Sequence, residues 1–207
     1  MMSIEHPSLP HTIQWCIDLH HTELYVLVVE KRLTSQDWIE HGFKVLGTEG
    51  FRGLKAGRMV KGLNVSRGSF YWHFKSLKTF HQALLAAWRK EITEEVIADL
   101  RAIPEGKDQL RELIASVVAA PQELEAAMRS WARVDPEVAI AVAQVDQLRA
   151  DYLTEVIAMC GVDRAIARAR ASLLTWAHIG RTFAPELVET VGPKEIDDFA
   201  QLLVSPH

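Results

Sequence analysis

The stretch NVSRGSFYWHFKS, residues 64–76, places a polar run that contains a glycine directly before a cluster of aromatic side chains. Phe70 and Phe74 are four residues apart, so on a helix they share one face. Asn64 tolerates a left-handed backbone and Ser66 is a favoured N-cap, which predicts a tight turn and then a helix after Ser66. The two phenylalanines should point into a core and leave polar and aromatic groups on the opposite surface.

The residues before this stretch predict two further helices. Thr34 and Asp37 have the spacing of a capping box, and the helix that follows has one inward face, formed by Trp38, Gly42, Val45 and Leu46. The glycine-containing segment GTEGFRG ends this helix, and a short helix follows over about residues 55–63. Because two short helices joined by a tight turn form a helix-turn-helix, residues 33–78 are predicted to be a three-helix domain of this type.

Charge is distributed unevenly along the chain. The 207 residues carry a formal net charge of −4, but residues 33–91 contain ten basic and four acidic side chains, a local charge of +6. The residues from 92 onward carry −8. This asymmetry suggests a polyanion-binding head on a non-binding body, although charge alone leaves a solvated charged face equally open.

The outward surface of the third helix suits a DNA groove. Small or hydrogen-bonding residues that favour close approach to base edges lie at its beginning: Ser66, Arg67, Gly68 and Ser69. Side chains that can bind flanking phosphates follow: Tyr71, His73 and Lys75. An amphipathic helix that packs into a core is the alternative for such an aromatic run.

Residues 33–91 resemble the DNA-binding domain of the TetR family of bacterial transcription regulators, most specifically in VSRGSFYWHFKSLKTFHQALL. The segment ELEAAMRSWARVDPEVAIAVAQVDQLRADYLTEVI resembles the body of many members, so the likeness covers most of the chain beyond residue 32. The resemblance implies a homodimer that binds a roughly palindromic operator on double-stranded DNA, usually as a repressor. It also implies release from the operator when a small effector enters the larger domain, with no cofactor.

The resemblance assigns the recognition helix to residues 66–73, with Arg67 and Ser69 reading bases. The complete set of DNA-binding residues that it implies is Lys55, Ser66, Arg67, Gly68, Ser69, Tyr71, Trp72, His73 and Lys75. The chain departs from the usual family pattern at three positions. Asn64 replaces the usual glycine of the turn, Lys55 the usual threonine cap of the second helix, and Val60 a usual alanine.

Hydrophobic periodicity predicts an all-α body over residues 79–207, which the resemblance makes an effector-binding and dimerisation domain. Apolar residues recur every four positions from Phe80 to Leu100 and predict one long connecting helix. Five further helices are expected: one around residues 110–117, one that Pro121 opens, one from Pro136 towards Gly161, one over about 163–183 and one after Pro193.

Two sets of body residues follow from the resemblance. The last two helices pair with a partner in the family, which predicts a dimer interface at Ala169, Leu173, Ala177, Ile196, Phe199 and Leu203. The helices around the family's cavity carry the candidate effector-binding residues Met128, Trp131, Tyr152, Met159, Trp176 and His178. A Met or Trp at helical spacing is more often a core residue, so core packing is the alternative for the second set.

Other function classes receive little support. Cys16 and Cys160 form no CxxC pair, which predicts no metal site, and the longest apolar run, LYVLVV, is too short for a membrane span. We therefore expect a soluble cytoplasmic protein. Cys160, His178 and Asp151 could be imagined as a catalytic set, but no nucleophile elbow or phosphate-binding loop accompanies them, so no enzyme is expected.

Two alternatives remain open at this stage. One is a helical interaction module without DNA binding, which the departures at Lys55 and Val60 keep possible. The other concerns residues 1–32, which we interpret as an N-terminal extension that is either flexible or docked on a subunit.

Overall fold

The computed structural model describes residues 33–120, 122–184 and 191–205, so the N-terminal extension and Pro121 lie outside the described residues. Within these ranges the chain is helical and contains no strand. Its α-helices are α1 (Ser35–Glu49), α2 (Ala56–Gly62), α3 (Arg67–His73), α4 (Leu77–Arg89), α5 (Glu95–Arg101), α6 (Lys107–Ala119), α7 (Gln122–Ala132), α8 (Pro136–Met159), α9 (Arg164–Phe183) and α10 (Pro193–Val204). No helix in the described part of the chain is both long and apolar enough to span a membrane.

Helix α1 begins with the capping box that the sequence predicts. The backbone N–H of Asp37 donates to Thr34 Oγ1 at 3.2 Å, and the Asp37 carboxylate accepts from the Thr34 N–H at 2.6 Å. The predicted inward face is confirmed, because Trp38, Gly42, Val45 and Leu46 are all buried. A Cβ at Gly42 would come within 2.9 Å of side chains on α4, so the absence of a side chain at this position lets the two helices pack closely.

The turn between α2 and α3 also forms as predicted. Asn64 has a φ of 54°, and it alone has a positive φ among the described residues that are not glycine. The Ser66 hydroxyl accepts a bond from the Ser69 N–H at the start of α3. Phe70 and Phe74 are buried, and the Phe70 ring meets Trp38 edge-on at a centroid distance of 5.3 Å. The aromatic run therefore contributes Phe70 and Phe74 to the core and leaves Tyr71 and Trp72 on the surface.

The connector is not the uninterrupted α-helix that its four-residue repeat predicts. A π-helical segment, Lys90–Glu94, joins α4 to α5. The α-helix has 3.6 residues per turn, so an apolar residue at every fourth position drifts around a straight helix. The π segment accommodates one additional residue, and the buried positions therefore contain one five-residue step: Phe80, Leu84, Trp88, Thr93, Ile97 and Leu100. Ile92 and Val96, which the repeat places inward, are only half-buried.

The buried side chains form two cores. The first joins α1–α4 to residues of α7 and the first half of α8, including Met128, Trp131 and Val142. The second joins α5 and α6 to the second half of α8 and to α9 and α10. The first core crosses the predicted domain boundary at residue 78, and that boundary stays a prediction. Helices α7 and α8 therefore pack against the helix-turn-helix through this first core.

Candidate nucleic-acid interface and effector cavity

Helix α3 presents the predicted DNA-binding face to solvent. Trp72 is 79% exposed and Tyr71 is 51% exposed, although both neighbour the buried Phe70. Arg67 and Lys75 are also exposed, as are Ser66 and Gly68. Burial of Phe70 and Phe74 fixes the rotation of the helix, and this rotation directs the polar and aromatic side chains outward.

Two candidate DNA-binding residues lie close to neighbouring helices. The Arg67 guanidinium lies beside α2, since a Cβ at Gly57 would come within 3.4 Å of Arg67 Nη2. The His73 ring is half-buried, with Nδ1 lying 3.3 Å from the Ser35 hydroxyl of α1 and the ring edge-on to Trp72 at a centroid distance of 4.7 Å. Of the candidate set, Ser69 is also half-buried.

Lys55 occupies the N-cap of α2 and makes no capping bond with its side chain. The exposed side chain cannot accept a hydrogen bond, because an ammonium group has donors only. The neighbouring departure, Val60, is buried in the first core. Helix α2 therefore has a well-packed interior and an uncapped beginning.

A cavity of about 260 Å³ lies among the π segment, α5, α6, α8 and α9. Its lining is mainly aliphatic and includes Ile97, Leu113 and Leu174. A more polar groove of about 630 Å³, lined by Arg101, Arg164, Arg168 and acidic neighbours, lies nearby, and Tyr152 contributes to both. This mainly apolar cavity has the character of a small-molecule site, with a volume just below the usual range of about 300–1,000 Å³.

The structure brings two of the predicted effector-binding residues, Tyr152 and His178, to this cavity. Met128 and Trp131 lie in the first core, where both are buried, which matches the alternative of core packing. Met159 and Trp176 are 43% and 66% exposed. The effector-binding roles of these residues stay predictions.

The sequence analysis missed the polar residues that line the cavity, of which Thr93, Asp146 and Arg149 matter most. For Asp146 and Arg149 the sequence does contain an indication, because they follow Val142 and Val145 on α8 by four residues each, and these two valines are buried. Charged side chains on an inward apolar face indicate buried ion pairs.

Four charged residues form a network beside the cavity, in which the first two are buried and the last two are half-buried: Glu125, Arg129, Asp146 and Arg149. Arg129 donates to Glu125 at 2.7 Å and to the two Asp146 oxygens at 2.8 and 2.9 Å. Arg149 donates to Glu125 at 3.1 Å, and its guanidinium lies over the Trp88 ring, 5.6 Å from the centroid. Burial opposes the charge of Arg129, but Asp146 and Glu125 outweigh it and raise the pKa of this residue. The network contains two positive and two negative groups.

The neutral polar side chains at the cavity differ from this network. Burial lowers the pKa of His178, with Glu125 opposing the shift and nearby arginines reinforcing it, so the fold favours the neutral imidazole. Burial also raises the pKa of Tyr152. His178 Nδ1 and Tyr152 Oη are buried and have no hydrogen-bond partner among the described residues.

An apolar surface lies on α9 and α10. Leu173, Trp176 and Phe183 on α9 are 62%, 66% and 56% exposed, and Leu202 on α10 is 68% exposed. Ala169 and Ala177 of α9 are also exposed, and Phe199 of α10 is 37% exposed. The other predicted interface residues, Ile196 and Leu203, pack instead against the second core. Trp176, which the sequence analysis assigned to the effector, belongs to this surface.

The candidate catalytic cysteine has an unfavourable environment. Burial raises the pKa of the Cys160 thiol, although Lys107 partly opposes this shift, and a raised pKa disfavours the nucleophilic thiolate. Within residues 33–120, 122–184 and 191–205, no three His, Cys, Asp or Glu side chains are grouped so that they could hold a metal ion.

No family model matches the sequence, and no curated protein matches it either. Solved structures do match. A candidate TetR-family transcriptional regulator from Rhodococcus sp. superposes with a TM-score of 0.61 at 13% identity, over 82% of this chain and 96% of the other. The chain has the fold of TetR-family transcriptional regulators.

Two further matching structures of transcriptional regulators carry ligands. A candidate transcriptional regulator from Saccharomonospora viridis in complex with choline has a TM-score of 0.63 at 15% identity, over 82% of this chain and 92% of the other. FadR from Bacillus subtilis in complex with stearoyl-CoA has a TM-score of 0.62 at 15% identity, over 83% and 98%. The predicted all-α fold, with an N-terminal helix-turn-helix and a C-terminal helical part, is thereby confirmed.

Proposed function

We propose that this protein is a ligand-responsive, DNA-binding transcription regulator of the cytoplasm, and that it acts as a repressor released from a palindromic operator by a small effector. The observation that carries the proposal is the orientation of α3. Phe70 and Phe74 anchor the helix in the core, so that Arg67, Tyr71 and Trp72 face outward from a basic segment of charge +6. A recognition helix has this arrangement when it enters a major groove.

The candidate DNA-binding residues have different roles in this proposal. Arg67 and Ser69 lie at the beginning of α3 and read base edges, and the Ser66 hydroxyl, which accepts the capping bond, still has its proton to donate. Tyr71, Lys55 and Lys75 contact phosphates and fix the register of the helix on the duplex. Trp72 offers a large exposed ring that can cover an apolar thymine methyl group.

DNA binding is tested by fluorescence anisotropy with the duplex upstream of the protein's own coding region. The logarithm of the affinity should fall with the logarithm of salt concentration, with a slope of about −0.9 for each phosphate contacted. Arg67→Ala should weaken specific binding by about 1–3 kcal/mol and relax sequence preference. Lys75→Ala should weaken all duplexes alike, whereas Lys107→Ala, an equal change of charge on the exposed beginning of α6, should have no effect. Salt-insensitive or absent binding would refute the DNA-binding role.

The effector part of the proposal is supported by the cavity and by its position. The π segment contributes Glu91 and Thr93 to the cavity lining, and Glu91 accepts a hydrogen bond from Gln36 of α1 at 3.1 Å. A ligand in the cavity therefore touches the chain segment that leads directly into the helix-turn-helix. The bound choline and stearoyl-CoA in two proteins of the same fold also support a ligand-responsive regulator.

A further inference from the structure

Two of the charged residues that line the cavity, Asp146 and Arg149, are already paired with opposite charges. Arg129 donates to both oxygens of Asp146, and Arg149 donates to Glu125 and to the Thr93 hydroxyl. An ionic ligand would bring one more charge into this balanced set, and a buried charge without a partner is strongly unfavourable.

The neutral groups at the same cavity are not paired. His178 Nδ1 and Tyr152 Oη are buried without hydrogen-bond partners in the described structure. A neutral imidazole offers one donor and one acceptor, and a phenol offers both in one atom. A buried polar group favours a ligand that restores its missing hydrogen bond.

The rest of the lining is apolar. Side chains such as Ile97, Leu113 and Leu174 come from three different helices and line the cavity. Glu91, the remaining charged group of the lining, already accepts a bond from Gln36. The cavity thus offers a mainly aliphatic lining, neutral hydrogen-bonding groups and, at Asp146 and Arg149, charges that are already paired.

We propose that this cavity binds an uncharged, largely apolar molecule with a single hydrogen-bonding group, such as a hydroxyl, which pairs with His178 or Tyr152. If this molecule is also the effector of the regulator, that role rests on the proposed function. The binding site itself is argued from the cavity alone.

Three probes with the same eight-carbon chain and different head groups test the charge class. Isothermal titration calorimetry at about pH 7.5 compares 1-octanol with octanoate and octylammonium, which are both charged at that pH. We expect 1-octanol to bind at least about tenfold more tightly than either ion. Equal or tighter binding of either ion, or no binding of 1-octanol up to its solubility limit, would overturn the inference.

Two variants test the charge balance in opposite directions. Asp146→Asn leaves an excess positive charge beside the cavity and should shift the preference towards octanoate, while Arg149→Met leaves an excess negative charge and should shift it towards octylammonium. Each variant is first shown by circular dichroism to be folded, and either one alone suffices for the test. An unchanged preference in a folded variant would contradict the charge argument.

A second pair of variants tests the hydrogen bond. His178→Leu should weaken 1-octanol binding about three- to tenfold, and His178→Gln, which keeps a donor and an acceptor, should retain most of the affinity. Equal losses in the two variants would contradict a hydrogen bond from this residue.

Operator binding is measured separately on the same samples. If the protein binds 1-octanol selectively but binds no DNA, the ligand class stands and the proposed function fails. If it binds the operator but prefers an ionic probe, the ligand class fails and the regulator stands.

Discussion

Among single residues, Glu125 is expected to have a large effect on stability. Its side chain is 5% exposed and accepts from both Arg129 and Arg149. Glu125→Ala leaves the buried Arg129 with Asp146 alone and the half-buried Arg149 without its carboxylate partner, so the free energy of unfolding should fall by about 3–5 kcal/mol. Urea denaturation measures the change. The control, Glu95→Ala, removes an exposed ion pair with Lys90 and should cost less than about 1 kcal/mol. Similar costs for the two variants would show that the network does not behave as a buried one.

Titration of His178 should make the fold less stable in acid. Burial holds the pKa of His178 below its ordinary value of 6.5, so the unfolded chain binds more protons than the folded chain as the pH falls through 6.5. The contribution of His178 to the free energy of unfolding is fully present above this pH. It is lost as the pH falls further, by at most about 1.4 kcal/mol per pH unit. His41 has a pKa shifted in the same direction and contributes in the same sense.

His178→Gln removes this contribution. Urea denaturation between about pH 7.5 and pH 5.5 should therefore show a smaller loss of stability in the variant than in the unmodified protein. Identical pH profiles would show that the imidazole is not held neutral by the fold.

Residues whose role depends on local chemistry could be predicted from the sequence. Asn64 at positive φ, the Ser66 cap and the Thr34 capping box all follow from preferences that act within a few residues. The cavity lining could not be predicted in this way. Whether Met128 or Tyr152 meets a cavity depends on how α7 and α8 pack against distant helices, which no local preference encodes.

Helix α2 lacks the side-chain N-cap bond with which α1, α3, α4, α8 and α9 begin. Lys55 stands at its N-cap without a side-chain bond to the first amide groups. Lys55→Ser supplies a hydroxyl that can accept one, so the free energy of unfolding should rise by about 0.5–2 kcal/mol relative to Lys55→Ala. The alanine variant is the matched control, because it removes the same charge without adding a cap. Equal stability of the two variants in urea would indicate that tertiary packing alone fixes the beginning of α2.

The connector illustrates the limit of sequence periodicity at the level of elements. Its four-residue repeat predicts a helix at the correct place, but 3.6 residues per turn cannot keep such a repeat on one face. The π segment Lys90–Glu94 resolves the conflict and turns Thr93 inward, where its hydroxyl accepts a bond from Arg149. This residue links the connector to the cavity, and the apolar repeat alone could not identify it.

At the scale of the whole molecule, the proposed operator is palindromic and requires two recognition helices related by a two-fold axis. Successive major grooves on one side of the duplex are about 34 Å apart, so two copies of the chain must be held at a fixed spacing. The surface on α9 and α10 is the best candidate for this contact. It combines small residues, which allow close approach, with large exposed apolar side chains such as Leu173 and Trp176.

Replacing Leu173 by Glu places a charge in the middle of this surface, where a dimer would bury it without a partner. We expect multi-angle light scattering to give the mass of two chains for the unmodified protein and of one chain for Leu173→Glu. Because Leu173 is 62% exposed, the single chain should keep its helical circular dichroism spectrum. Val134→Glu, at an apolar residue that is 63% exposed in the turn between α7 and α8, is the matched control and should remain dimeric.

The separated chain should also lose most of its operator affinity. Each recognition helix then binds its half-site independently, so the first binding event no longer raises the effective concentration of a second recognition helix. A one-chain mass for the unmodified protein, or a two-chain mass for Leu173→Glu, would show that this surface does not join the subunits.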